Sequence, residues 1–120
     1  MFFRGNEHKR LYEQERSYHV GADQDFCAAL YLLTADSHLW RQVEDQVSTH
    51  DVRIGKMFPQ GLSAAAYLFF KAAKEIVTGN GGLTVSDISD RSSVSLTSFR
   101  VLCTALAMKG FGVHAAEWNH

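Results

Sequence analysis

Residues 6–19, NEHKRLYEQERSYH, place His8, Tyr12, Glu15 and His19 at i, i+4, i+7 and i+11. On a helix these positions share one face, because side chains three or four apart are neighbours. A histidine and a glutamate in that relation can hold a divalent cation. Zinc, however, asks for three or four ligands in a tetrahedral array, oriented by a further layer of hydrogen bonds. One helix supplies two or three. The competing reading is structural, either a polar outer face or a His8 hydrogen-bonded near the helix start. That reading is preferred, and no metal or cofactor is assigned.

A second group, His114, Glu117 and His120, has spacings of three in HAAEWNH. It is not the zinc-protease pattern, in which two histidines stand four apart with the acid beside the first. The two cysteines, Cys27 and Cys103, sit inside apolar helical patterns, where a thiol behaves as a small hydrophobe. Arg100 is the only basic neighbour of either, and a reactive thiol needs an electropositive, accessible setting. GNGG at 79–82 follows a helix rather than a strand, so it reads as a helix stop and not as a phosphate-binding loop. No catalytic residue emerges from these groups, and the chain is read as a non-enzyme.

Residues 84–110 offer a different function. They can be read as a helix-turn-helix, with SSVS as the turn and Thr97, Ser98 and Arg100 reaching bases or phosphates. The segment 84–112 carries Arg91, Arg100 and Lys109 against Asp87 and Asp90, which is little positive charge for phosphate binding. DNA recognition is therefore the alternative, and nucleic acid is not the expected partner. Asp36, Glu44, Asp45 and Asp51 form a loose acidic set that could mimic phosphates, although Arg41 and Arg53 lie among them. Phe58, in the longest stretch without helical periodicity, is the aromatic candidate for a protein contact.

The elements that would hold these residues are helices. Asn6 is a suitable N-cap for the first, since its side chain can accept from an otherwise unpaired amide, and Glu7 suits the positive end of the dipole. QDFCAALYLLTA is apolar almost all round and is expected at the centre of the core. Asp36 or Ser37 would cap a short third helix with Leu39, Trp40, Val43 and Val47 inward. Residues 48–61, with the single proline, form an irregular segment in which VRIG could be briefly extended. Ser63 then caps a fourth helix that buries Leu62, Ala65, Ala66, Phe69, Ala73 and Ile76. Thr84 and Asp87 suggest a capping box. Ser95 starts a last long helix, with Phe99, Leu102, Cys103 and Leu106 inward and Gly110 as its stop. The expectation is one all-α domain over 1–120, a compact bundle of four to five helices.

Length and charge agree with that expectation. A chain of 120 residues can bury a core without disulfides. A net charge of −1 gives no basic footprint for a nucleic-acid surface. AAAYLFF, the longest apolar run, is too short to span a bilayer. Neither a membrane span nor a secretory leader is read, so the expected location is the cytoplasm. Phe2, Phe3, Phe58, Phe70 and Trp118 exceed what one small core needs, and a homodimer or a partner surface would cover them.

Three stretches in order, NEHKRLYE, ALYLLTADSHLWRQVED and GLSAAAYLFFKAAKEIVTGNGG running into VSDISD, resemble a family of small helical proteins of unknown function. That family comes from Gram-positive bacteria and their phages. The resemblance implies a helical fold and a phage or prophage origin, and it carries no catalytic residue. Small phage accessory proteins often bind and block a bacterial protein. The expected function is therefore an inhibitor of a host defence nuclease, specifically an anti-CRISPR acting on a Cas9-type effector.

Overall fold

The structure, a computed structural model, describes all residues except 20, 22, 49, 50 and 115–120. Among the described residues there are six α-helices and one 3-10 turn: α1 (Asn6–Ser17), α2 (Gln24–Leu33), α3 (Ser37–Val43), the turn Glu44–Gln46, α4 (Ala64–Thr78), α5 (Val85–Ser89) and α6 (Leu96–Phe111). The all-α bundle is as expected, with six helices where four to five were expected. Its extents are 37 × 35 × 27 Å.

Most helix starts are set by side chains that satisfy an amide left without an intrahelical partner. Asp23 accepts from Phe26 N–H, Asp36 from Leu39, Ser63 from Ala66 and Ser95 from Ser98. Thr84 and Asp87 close a reciprocal capping box at α5. The start of α1 departs from the sequence expectation. Gly5, not Asn6, is the N-cap and offers no side chain. No side chain takes over the cap; His8, in the first turn, instead accepts from the amide of Arg4, the residue before the cap.

α2 is the central element. Every residue from Phe26 to Leu33 is buried, as its all-round apolarity requires. It packs between α4 and α6. From α4 it receives Ala66, Phe69, Phe70, Ala73 and Ile76, whose alanines let the two backbones approach. α3 contributes Leu39, Trp40 and Val43, and Val47 packs at the margin of the core. VRIG supplies Val52 to an isolated antiparallel bridge with Val47. Val52 and Ile54 are buried, which pins the irregular segment to the core.

α6 turns a different face inward than its apolar spacing suggested. Ser98, Val101, Leu102, Thr104, Ala105 and Met108 are buried, whereas Phe99 and Leu106 are exposed and Cys103 is half-buried. The helix is apolar on both sides, so the pattern does not choose between them. The two inward hydroxyls are bonded locally: Thr104 donates to the Arg100 carbonyl at 2.7 Å, and Ser95 donates to the Ser98 hydroxyl at 3.1 Å. Satisfied hydroxyls carry little burial penalty. The helix also runs through Gly110 and closes at Gly112, which has φ 93°.

Gly81 is held by contact rather than by dihedral. A Cβ there would overlap the Lys71 carbonyl oxygen and lie 2.6 Å from the Glu75 amide nitrogen, and its own N–H donates to the Glu75 carboxylate. The turn after α4 is thereby folded back onto that helix. Lys71 also reaches Asp87 at 3.5 Å and ties α5 to α4.

Candidate functional site

His8 is built into the core. The residue is 3% exposed. Nδ1 accepts the Arg4 N–H at 2.9 Å, which places the proton of the neutral ring on Nε2. Nε2 lies 2.7 Å from the Tyr31 carbonyl oxygen and donates to it. Phe3 stacks edge-on at 5.2 Å and Tyr31 lies at 4.6 Å between ring centroids. Burial is the main reason that the imidazole is pushed down to about 4, and the nearby Arg4 charge pushes it in the same direction. A neutral ring with both nitrogens engaged has no lone pair left for a metal and is a poor base near pH 7.

Of the other residues considered for a metal-binding face, Glu15 is half-buried on α1, and Tyr12 and His19 are buried. Tyr12 is buried against Phe3 and Tyr31, with its phenol pushed up to about 12 by burial. α1 ends at Ser17, so His19 lies beyond it, buried with its ring 4.7 Å from Phe26. Among the described residues no three His, Cys, Asp or Glu side chains are grouped to hold a metal. His114 is exposed, while Glu117, His120 and Trp118 lie outside the described residues. Burial raises both thiols, Cys27 in the core and Cys103 at its edge, which disfavours the reactive thiolate.

The helix-turn-helix residues are also redistributed. Ser98, expected to face bases, is buried at 3% exposure because it belongs to the cap and inner face of α6. The Arg100 guanidinium lies 4.1 Å above the Phe2 ring. Thr97 alone of the three stands exposed without a partner role among the described residues. The surplus aromatics follow the same course. Phe70 is buried, and Phe2 and Phe3 pack against the core, so they need no external cover.

The acidic set separates into two classes. Asp36 caps α3 and pairs with Arg4 at 3.2 Å, and Asp51 pairs with Arg53 at 3.0 Å. Neither is a free phosphate mimic. Glu44 and Asp45 are exposed in the 3-10 turn and make no ion pair among the described residues.

Phe58 is different from all of these. It is 80% exposed. The chain beside it is clamped: Gln60 N–H donates to Gln42 Oε1 at 2.9 Å, and Gln42 Nε2 donates back to the Gln60 carbonyl at 2.8 Å. The Gln60 side chain then donates to the Phe58 carbonyl at 2.9 Å. Met57 and Leu62 pack against the core on either side. An apolar ring is thus held out in water on a segment anchored at both ends and bound to α3 through Gln42. The glutamine clamp went unread in the sequence, because its two halves are 18 residues apart with no local pattern.

No protein-family model, curated protein or solved structure matches this chain. Its functional reading therefore rests on the surface just described.

Proposed function

We propose that this protein acts by binding another protein, with Phe58 as the anchor and the acidic turn at Glu44 and Asp45 as the polar margin. The observation that carries the reading is the exposed Phe58 ring on a clamped segment. Aromatic side chains that fill a partner's pocket dominate many interfaces. A segment already ordered in the free protein loses less entropy on binding. Among the described residues no helix is long and apolar enough to cross a membrane, which is compatible with a target in the same aqueous compartment.

The resemblance to small proteins of bacteria and phages directs the choice of target to a bacterial protein. Our specific proposal is a CRISPR nuclease of the Cas9 type, blocked by occlusion of a nucleic-acid channel or of a domain that must move. The test is target cleavage by the purified nuclease with and without this protein. Wild-type protein should suppress cleavage at stoichiometric amounts, and Phe58→Ala should restore it while leaving the fold intact. A gel shift of duplex DNA by the protein alone, weakening steeply with salt, would instead favour the DNA-binding alternative.

A further inference from the structure

α6 carries a second apolar face that the core does not use. Leu96, Phe99, Cys103, Leu106 and Gly110 follow at i, i+3, i+7, i+10 and i+14, with Ala107 beside them. That is the heptad spacing of a helix-pairing seam. No charged residue stands in it. Leu96 is 75% exposed, Phe99 38% and Leu106 45%, with Phe111 at 81% on its C-terminal flank. The surface continues onto α5 through a groove of about 560 Å³ in which Ile88, Val94, Leu96 and Phe99 stand beside the polar Ser89, Arg91 and Ser95. A helix that is apolar on both sides is ordinarily covered on both.

We propose that a second copy of this chain covers this face, with the two α6 helices antiparallel and the two-fold axis beside Cys103. Three features select a copy over an unrelated partner. The first is self-complementarity. Reversing one helix about residue 103 sets Leu96 opposite Gly110 and Phe99 opposite Ala107, so that each large side chain meets a small residue of the other copy. Cys103 meets itself, and Leu106 meets the aliphatic stem of Arg100. The second is charge. The five seam positions themselves carry no charge; of the cations that border them, Arg100 lies over the Phe2 ring and Lys109 lies 3.4 Å from Asp25, while Arg91 stands at the groove.

The third is area. A fully exposed side chain of this size offers roughly 150–250 Å², so the exposed fractions of Leu96, Phe99, Leu106 and Phe111 sum to on the order of 500 Å². A standard interface buries about 800 Å² per partner, and its apolar share is close to that figure. The Phe58 surface lies on the segment before α4, so this pairing does not depend on the proposed function.

The test is the solution mass of the full chain by light scattering across a range of concentrations, together with cross-linking by a short bismaleimide. Twice the chain mass is expected. Phe99→Asp should return it to one chain mass with an unchanged helical spectrum. The reagent should join two copies through Cys103, with the product lost in Cys103→Ser and retained in Cys27→Ser. If Phe99→Asp does not fold, orientation decides. In a Cys103→Ser background, chains carrying Leu96→Cys mixed with chains carrying Gly110→Cys should cross-link at least tenfold more than either alone. A single chain mass at all concentrations would overturn the proposal. So would a dimer that persists in a folded Phe99→Asp protein, or one that gives no product through residue 103 or between 96 and 110.

Discussion

Lowering the pH should destabilise this protein through His8 before its carboxylates matter. In the unfolded chain His8 takes up a proton near the ordinary value of 6.5, whereas in the folded protein it holds off until about 4. Between those values the unfolded state binds the extra proton, so stability falls as pH falls. Above 6.5 both states are neutral and the term is flat. The gap between 6.5 and about 4 corresponds to about 3 kcal/mol at roughly 1.4 kcal/mol per pH unit. That is a large part of a typical 5–15 kcal/mol domain stability.

The assay is urea unfolding followed by circular dichroism from pH 7.5 to 4.5, for the wild type and His8→Gln. Glutamine does not titrate, so the variant should be weaker at pH 7, where it loses the Arg4 bond and ring packing. The two curves should then converge as the pH drops. Parallel curves would refute the reasoning, and so would a His8 ring resonance that titrates near 6.5 in the folded protein.

Gly81→Ala should cost about 2 kcal/mol or more, because the added methyl meets α4 backbone that cannot yield. Gly79→Ala, strained only by its φ of 72° with nothing within 4 Å, should cost about 1 kcal/mol, and paired thermal melts compare the two. Thr84→Ala removes the hydroxyl half of the α5 capping box and should cost about 1 kcal/mol in chemical unfolding. Phe69→Ala in the α2–α4 contact should cost about 3–5 kcal/mol, against less than about 0.5 for Phe58→Ala, which has no packing to lose. In the single-chain Phe99→Asp variant, maleimide should modify Cys103 well before Cys27, as mass spectrometry of timed samples would show.

The caps of α2, α3, α4 and α6, the central helix and the α5 capping box were legible because each is local, whereas the Asn6 cap read for α1 did not form. A Ser, Thr or Asp three residues before its amide is visible in the chain, and the unbroken apolar run of α2 admits one place in a bundle. The inward face of α6 was not legible. Leu102 and Met108 on one side and Phe99 and Leu106 on the other are equally apolar, and only the packing against α2 decides between them. The chemistry of His8 was half legible. Its place at a helix start suggested a structural bond, but the acceptor, Tyr31, lies 23 residues away. Phe58 was singled out from the irregular segment around it, whereas Ser98 was misplaced because its capping contact and burial arise together at the start of α6.

Hydrogen–deuterium exchange of the protein alone and mixed with the Cas9-type nuclease tests most directly whether contact runs through the clamped loop. Slowed exchange centred on residues 56–60 and extending to 44–46, with α1 and α2 unchanged, is the predicted result. Protection centred on the His8 turn or on the first turn of α6, with 56–60 unaltered, would contradict it.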